Sequence, residues 1–207
     1  MHKLIIATLV RWRIKIINPD NLPTGRPFII VGNHQSFLDP IASWYAVAEM
    51  LDRRTYFIAK RFLKRVFGSL GDWLGMLYLG KQSDKASILR VAEKYFQRGN
   101  CIGIFPEGTR NRPDNKDLLK GKTGAARLAL ATGAPVVPTG IIAPPGWTAR
   151  QAIYNYFFTR RTYSITIGQP LTFSKKKPEE ITYSLLKETT RTIMKAVGEL
   201  CNKNYPY

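Results

Sequence analysis

The sequence predicts a single α/β domain in which a central mixed sheet is flanked by helices. Short apolar runs bounded by turn residues alternate with helical patterns along the chain, an order typical of an α/β sandwich. A length of 207 residues with 44% apolar content suits one well-packed core. We therefore expect one domain over 21–207, preceded by a segment over 1–20 that associates with a membrane.

The N-terminal segment carries an apolar run from Leu4 to Val10 and ends at a turn cluster, 18–20. A helix of about ten residues crosses only about half of the ~30 Å hydrocarbon core of a bilayer. No other stretch approaches the ~18 uninterrupted apolar residues of a spanning helix. The run is also too short for a secretory signal with its cleavage site. The segment is therefore predicted to be a short helix on the membrane surface.

Five apolar runs predict strands, and helical patterns lie between and after them. Gly99 and Gly133 stand where two of the helices should stop, because glycine commonly ends a helix. Pro178, followed by two glutamates, makes a good first turn for the last helix. The strands are expected at 27–32, 55–59, 101–105, 136–142 and 162–167, and the helices from about 36, at 88–96, at 125–131 and from 178 to about 197.

The net charge of +18, from 32 basic and 14 acidic residues, requires an anionic partner. Nucleic acid and anionic lipid both meet that requirement. The two cysteines, Cys101 and Cys201, have no metal-ligand spacing around them, so neither a zinc site nor a disulfide framework is expected. Cys101 begins an apolar run and is predicted to be a buried core thiol.

The segment from Asn33 to Asp39 follows the first predicted strand, where α/β folds place their ligands. Imidazole is the usual general base near neutral pH, so His34 is a candidate to deprotonate a hydroxyl, with Asp39 holding its ring in one tautomer. Asp39 has a second interpretation, because Ser36 and Asp39 have the spacing of a capping box before an apolar helical run. The spacing by itself leaves both interpretations open.

A second polar block, 105–110, follows the third predicted strand and should open at the same edge of the sheet. Arg110 offers a planar bidentate donor, Thr109 a hydroxyl, and the backbone of Gly108 allows the close approach of an anion. These groups suit a phosphate. Taken alone, however, the block fits better a turn that ends a strand with a solvated arginine.

Three blocks together resemble the glycerolipid acyltransferase family, which contains the bacterial 1-acylglycerol-3-phosphate acyltransferases. The segment 33–39 resembles the family's block of a histidine and an aspartate five positions apart, 105–110 matches its second diagnostic block, and 136–138 resembles its last. The resemblance covers roughly 21–170. It implies that His34 and Asp39 are the catalytic pair.

The resemblance also implies roles for the residues around this pair. His34, oriented by Asp39, would deprotonate a glycerol hydroxyl as it attacks an acyl thioester, with no acyl-enzyme intermediate. Ser36 fits a helix N-cap better than a nucleophile. Glu107 would organise the phosphate site. The expected phosphate-binding residues are Lys81, Glu107, Gly108, Thr109 and Arg110, the expected pocket-shaping residues are Asn33, Ser36 and Pro138, and no metal ligand is expected.

Two of these residues keep a plainer alternative. At the place of Lys81 the family usually has an arginine, and lysine keeps the charge but loses the bidentate fork. Phosphate binding by Lys81 therefore competes with an exposed lysine at the start of a loop. Pro138 either shapes the pocket or is a proline at a strand edge.

Two segments are candidates for membrane contact. In 61–70, apolar side chains and three cations suit an interfacial helix, although a core-facing helix with a basic outer side fits equally well. In 154–161, four aromatics and two arginines lie in a predicted connection before a strand. The same aromatics could stack on nucleic-acid bases.

The resulting hypothesis is an enzyme that moves a fatty acyl chain from acyl carrier protein or coenzyme A to the sn-2 hydroxyl of 1-acylglycerol-3-phosphate, forming phosphatidic acid. No cofactor beyond the acyl thioester and no nucleic acid is expected. The expected partners are an anionic membrane surface, a lysophospholipid and the acyl carrier. The lack of an export signal favours peripheral or monotopic attachment at the cytoplasmic face of the cell membrane. The alternatives are another lysolipid or glycerol-3-phosphate as acceptor, a catalytically silent lipid-binding relative, and a basic nucleic-acid-binding protein.

Overall fold

The computed structural model describes residues 13–51, 53–61, 63–73, 75–79, 85–112, 114–144, 148–158 and 163–207. Within these residues, seven strands form one sheet flanked by helices. The strands are β1 (Ile14–Ile17), β2 (Ile29–Gly32), β3 (Thr55–Lys60), β4 (Met76–Leu79), β5 (Cys101–Ile104), β6 (Val136–Ile142) and β7 (Tyr163–Ile167). The helices are α1 (Asp39–Leu51), α2 (Leu63–Trp73), α3 (Lys85–Phe96), α4 (Gly124–Thr132), α5 (Ala149–Phe158) and α6 (Tyr183–Cys201).

The strands lie in the spatial order β1, β7, β6, β2, β5, β3, β4. All neighbours run parallel except β6 and β7, which are antiparallel. The carboxyl ends of β2 to β6 therefore lie at one edge of the sheet, and β7 begins at that same edge. We call it the carboxyl edge. Open α/β sheets bind their ligands at this edge, because the segments that follow the parallel strands meet there.

Helices cover both faces of the sheet. On one face α1 and α5 pack against the strands, and on the other face α3, α4 and α6 do so. The strand β2 is buried from both sides, since Ile30 belongs to the first core while Ile29 and Val31 belong to the second. Burial on both faces explains why this strand is a continuous apolar run and does not alternate with polar residues.

The predicted single mixed sheet flanked by helices is confirmed, and all five predicted strands are present. Two strands that the sequence analysis does not predict, β1 and β4, form the two edges of the sheet. Each has four residues, too few for a clear alternating pattern. β1 pairs with β7, so 14–17, expected to belong to the membrane-associated segment, is part of the sheet. Residues 1–12, which contain the predicted surface helix, lie outside the described residues.

Two helices differ from the sequence-based expectation. α5 occupies most of the stretch that the sequence indicates as a connection, because burial of Ala152 and Tyr156 against the sheet outweighs the weak helix propensity of its aromatic residues. α6 begins at Tyr183 and not at Pro178. The preceding Thr182 caps it by accepting a hydrogen bond from Leu185 N at 3.2 Å, and Pro178–Glu180 forms a separate 3-10 turn.

α2 is interrupted at Gly68, whose backbone is not helical (φ 48°, ψ −135°). A positive φ is favourable mainly for glycine. The continuous amphipathic face predicted over 61–70 is therefore broken at this residue, which corrects the sequence analysis. The side chains of Phe62, Val66, Phe67 and Leu70 lie outside the described residues, so membrane contact through this face stays a prediction.

Both cysteines, Cys101 and Cys201, are free and buried. Burial raises the pKa of each thiol to about 11. A buried neutral thiol is inert, so the prediction of a core role for Cys101 is confirmed. In the part of the chain that the structure describes, no helix has the length and apolarity needed to cross a bilayer.

The contact between β6 and α6 gives a test of the fold. A Cβ added at Gly140 would lie 2.3 Å from the backbone carbon and oxygen of Leu200, which cannot rotate away. We expect Gly140→Ala to lower the free energy of unfolding by about 3 kcal/mol, measured by urea denaturation. Gly25→Ala is the control, because nothing lies within 4 Å of its added Cβ. Equal stability of the two variants would contradict this packing.

Candidate active site

The backbone of His34 is fixed at the carboxyl edge by the segment that follows β5. His34 N donates a hydrogen bond to Glu107 Oε1 at 3.0 Å, and His34 O accepts one from Asn111 N at 2.6 Å. Both backbone polar groups of His34 are thus bound by the segment 107–111, which contains most of the second block. The two motifs meet here, as expected from the parallel arrangement of β2 and β5.

The side chains on either side of His34 point into the protein and anchor the loop. Asn33 Nδ2 donates to Ile141 O at 2.9 Å, and Asn33 Oδ1 accepts from Ile141 N at 2.7 Å. Gln35 Oε1 accepts from Ala143 N at 3.3 Å. Both amides are buried, whereas the His34 side chain keeps 20% exposure. Asn33 therefore fixes the loop to the end of β6, and Gln35, which the sequence analysis missed, shares this task.

The imidazole of His34 is held by Asp39. Its Nδ1 lies 2.8 Å from Asp39 Oδ2. Because a carboxylate can only accept, Nδ1 carries the proton and the neutral ring leaves Nε2 as the acceptor. The ring also stacks on Phe105, with centroids 4.6 Å apart, and Phe105 stacks on Phe57. The rotation and the tautomer of the His34 ring are therefore both restricted.

The Asp39 carboxylate is fully buried and accepts further hydrogen bonds. Oδ2 accepts from Gln35 N at 2.6 Å and from Ser36 N at 2.7 Å, in addition to the ring of His34. The bond from Ser36 N is one half of the capping box that the sequence suggested. The contact with Ser36 N that the capping-box spacing suggests and the contact with the imidazole are thus made by the same oxygen atom.

Ser36 does not cap α1 as the sequence analysis expected. The helix begins three residues later, at Asp39, because Asp39 draws the amides of residues 35 and 36 into the turn that precedes it. Ser36 is buried, and its Oγ accepts a hydrogen bond from Leu38 N at 3.3 Å. The Ser36 side chain therefore bonds within the turn before α1 and to Tyr163, and not to the imidazole that would have to activate a serine nucleophile.

Tyr163, the first residue of β7, is a further residue that the sequence analysis missed. Its hydroxyl donates to Asp39 Oδ1 at 3.3 Å across a separation of 124 residues. Burial and the neighbouring charge of Asp39 raise the pKa of Tyr163 far above its usual range, so the hydroxyl remains a donor. Both oxygens of Asp39 therefore have partners.

Glu107 was expected in the phosphate site, but the structure gives it a different environment. It is 4% exposed, and its two oxygens accept hydrogen bonds from His34 N and from Leu119 N at 2.9 Å. Burial raises the pKa of Glu107 above its ordinary 4.5, although the two backbone donors oppose the shift. Glu107 thus joins two loops and presents no group to a bound anion, which would in any case have the same charge.

Arg110 and Thr109 are closer to the expectation. The guanidinium of Arg110 lies over the ring of Phe37, 3.9 Å from its centroid, and so next to the loop of His34. Partial burial lowers the pKa of Arg110, whereas the charge of Asp39 raises it. Thr109 is exposed. A cavity of about 350 Å³ beside this block is lined by Arg110, Asn111, Arg112, Asp114, Asn115 and Leu119.

At Gly108, where the sequence predicts the close approach of an anion to the backbone, the amide is already engaged within the turn. Its N–H donates to Phe105 O at 3.0 Å within the turn. The backbone at this position has a φ of 66°, which favours glycine. An added Cβ would lie 2.7 Å from Lys122 Nζ. What the glycine makes room for is therefore the ammonium group of Lys122. This cation lies beyond the block, so the pattern of the block does not predict it.

Two predicted residues remain, Pro138 and Lys81. Pro138 lies inside the central strand β6, opposite Val31, and its carbonyl accepts from Gly168 N at 2.8 Å. It is not a proline of an edge strand, because β6 lies inside the sheet, and its role in shaping the pocket stays a prediction. Lys81 lies outside the described residues.

Comparison with known proteins is consistent with this geometry. The family model described as "Acyltransferase" matches residues 13–142. The 1-acyl-sn-glycerol-3-phosphate acyltransferase beta of Homo sapiens is 32% identical over 164 residues, covering 75% of this chain and 54% of the human protein. The 1-acyl-sn-glycerol-3-phosphate acyltransferase of Bacillus subtilis is 26% identical over 172 residues, covering 82% of this chain and 79% of the bacterial protein. The chain spans about half the length of the human relatives it matches.

A solved structure supports the fold. The crystal structure of the 1-acyl-sn-glycerophosphate (LPA) acyltransferase from Thermotoga maritima matches with a TM-score of 0.57 and 23% sequence identity. The match covers 96% of this chain and 79% of that one. The two chains thus share a fold.

The buried Glu107 predicts a pH dependence of stability. Because its folded-state pKa is raised, the native state binds more protons than the unfolded state between pH 4.5 and that raised value. The contribution of Glu107 to the free energy of unfolding is therefore greatest at low pH and falls as the pH rises between these two values. In this pH range the free energy of unfolding of the wild type, relative to that of Glu107→Gln, should fall by up to about 1 kcal/mol per pH unit. Urea denaturation from acid to neutral pH measures this difference.

The exposed Glu179 provides the control for this measurement. Glu179→Gln should differ from the wild type by a constant amount over the same pH range. An advantage in stability of the wild type over Glu107→Gln that increases with rising pH would contradict the burial cost assigned to Glu107.

Proposed function

The chain belongs to the acyltransferase family, and from this premise we propose that it transfers a fatty acyl chain from acyl carrier protein or coenzyme A to the sn-2 hydroxyl of 1-acylglycerol-3-phosphate, forming phosphatidic acid. The observation that carries the proposal is the contact of 2.8 Å between His34 Nδ1 and the buried Asp39 carboxylate. The names of the human and bacterial relatives support the choice of acceptor.

His34 acts as the general base in the proposed reaction. Its Nε2 accepts the proton of the acceptor hydroxyl while the hydroxyl oxygen attacks the carbonyl carbon of the acyl thioester. The negative charge of Asp39 stabilises the imidazolium that forms. When the tetrahedral intermediate collapses, the carbon–sulfur bond breaks, and the imidazolium returns its proton to the departing thiolate. The products are an ester and a free thiol, and no acyl-enzyme, metal ion or separate cofactor takes part.

The phosphate of the acceptor is held by cations beside this pair. Arg110 lines the neighbouring cavity and can bind two phosphate oxygens through its planar fork. Thr109 is exposed next to it, and Lys122 brings a second cation to the turn at Gly108. Glu107 acts as a positioning residue for His34 and does not contact the phosphate.

The proposed partners are anionic. The net charge of +18 attracts both an anionic membrane surface and an acidic acyl carrier protein. The lysophospholipid acceptor resides in a bilayer, so the enzyme works from the membrane surface, at the cytoplasmic face and attached from one side. Charge alone also suits nucleic acid, but a nucleic-acid-binding module gives no reason for a buried carboxylate to orient an imidazole.

Substitution of His34 tests the proposed activity. The purified wild type, given a labelled acyl donor and a panel of acceptors, should acylate 1-acylglycerol-3-phosphate in preference to glycerol-3-phosphate and to a monoacylglycerol without phosphate. His34→Ala should lower turnover by about 10³-fold, the usual contribution of a general base, in a protein that still unfolds cooperatively on heating. Ser36→Ala is the matched control and should lose less than about tenfold, because the Ser36 side chain bonds to Leu38 N and Tyr163 and not to the His34 ring. Wild-type turnover in His34→Ala would refute the mechanism.

A double-mutant cycle tests the role of Tyr163. Tyr163→Phe removes the donor to Asp39 Oδ1 and should lower kcat by about tenfold with little change in KM for the acceptor. In an Asp39→Asn background the same substitution should have a much smaller effect on kcat, because the charged partner is already lost. If Tyr163→Phe has the same effect in both backgrounds, the tyrosine acts through packing and not through Asp39.

A further inference from the structure

The outer face of α5 exposes four large apolar side chains. Ile153 is 48% exposed, Tyr154 59%, Phe157 40% and Phe158 73%. Their positions fall on one side of an α-helix, and the rings of Tyr154 and Phe158 stack with centroids 5.2 Å apart. Single exposed apolar residues are common on protein surfaces, but a contiguous cluster indicates an interaction site. We call these four residues the outer face of α5.

The opposite side of α5 is fixed to the protein next to the candidate active site. Ala152 and Tyr156 are buried, and the ring of Tyr156 lies 6.0 Å from that of Tyr163. Tyr163 in turn donates its hydroxyl to Asp39. The helix joins the end of β6 to the start of β7, and both lie at the carboxyl edge. A partner bound on the outer face of α5 is therefore close to the residues that orient His34.

The surroundings of this face are basic. The sequence from Leu118 to Pro178 contains no aspartate or glutamate, although it contains several lysines and arginines. Arg150 is exposed on α5 itself, and Arg13 Nη2 donates to Phe157 O at 3.0 Å. An apolar, aromatic face on a helix that carries an exposed arginine, within a stretch of sequence that has cations and no acids, is complementary to the boundary between anionic head groups and acyl chains.

We propose that the outer face of α5 docks the protein onto an anionic lipid bilayer. Tyr154, Phe157, Phe158 and Ile153 insert at the boundary between head groups and acyl chains, while the neighbouring cations contact the head groups. This inference rests on the proposed function, because an acceptor and a product that are membrane amphiphiles require the carboxyl edge to lie near the bilayer. An acidic protein partner would pair with the cations but would not explain why four large apolar side chains are exposed together.

A single fluorescent label tests the docking directly, without measuring activity. Tyr154→Cys and, as the matched control, Tyr183→Cys are each labelled with a polarity-sensitive dye. Tyr183 is 71% exposed and lies on α6, across the sheet from α5. The native Cys101 and Cys201 are buried, so they do not compete for the label. Each labelled full chain is mixed with phosphatidylcholine vesicles with or without phosphatidylglycerol.

The dye at 154 should shift to shorter wavelength on vesicles that contain phosphatidylglycerol, and salt should weaken the shift. The dye at 183 should not respond. Equal responses at both positions, no response at 154, or a dye at 154 that is already shielded before vesicles are added would each overturn the proposal. The last result would mean that protein, and not lipid, covers this face.

A second variant separates this proposal from the proposed function. In the Tyr154→Ser, Phe158→Ser protein, the affinity for vesicles that contain phosphatidylglycerol should fall by about tenfold or more in sedimentation, whereas Tyr183→Ser should bind as the wild type does. The ratio of turnover on a vesicle-embedded acceptor to turnover on a monomerically dispersed one should fall in parallel. Unchanged sedimentation in an enzyme that transfers acyl chains would refute the docking surface alone. If the double variant no longer sediments with vesicles but the wild type itself shows no transferase activity, the proposed function alone is refuted.

Discussion

The arrangement of the site depends on one buried charge, the carboxylate of Asp39. Burying a carboxylate is unfavourable unless hydrogen-bond donors surround it, and Asp39 receives donors from the His34 ring, from the amides of Gln35 and Ser36, and from the hydroxyl of Tyr163. These donors come from the loop after β2 and from β7. The same carboxylate therefore shapes the turn before α1 and fixes the imidazole. It also connects both to β7, which lies two strands away from β2 in the sheet.

A second buried carboxylate, Glu107, supports the first. It binds the amide of His34 with one oxygen and the amide of Leu119 with the other, so the loop that carries the imidazole and the loop that carries Arg110 keep a fixed spacing. The base and the anion-binding cation must act on one substrate molecule, and a rigid spacing between them lowers the entropic cost of reaching the reactive geometry. Glu107 contributes to this geometry from beneath the site, without contact with the phosphate.

The sequence predicts the parts of this protein that are encoded in contiguous residues. The strands β2, β5 and β6 are apolar runs, and the family resemblance rests on the segments 33–39 and 105–110, so both the mixed sheet and the family are confirmed. The contacts that the sequence does not reveal join positions that are far apart along the chain. Tyr163 reaches Asp39 across 124 residues, and Lys122 becomes part of the second block only because the chain returns to Gly108. β1 is too short for a pattern, and α5 forms because one of its faces is buried.

The tautomer of His34 in solution tests the central claim most directly. The chain contains two histidines, so a His2→Gln variant leaves His34 as the single imidazole for nitrogen NMR. At a pH where the ring is neutral, the account predicts a proton on Nδ1 and a bare Nε2, with a loss of this preference in Asp39→Asn. A proton on Nε2 in the otherwise native protein, or the same tautomer in Asp39→Asn, would contradict the account.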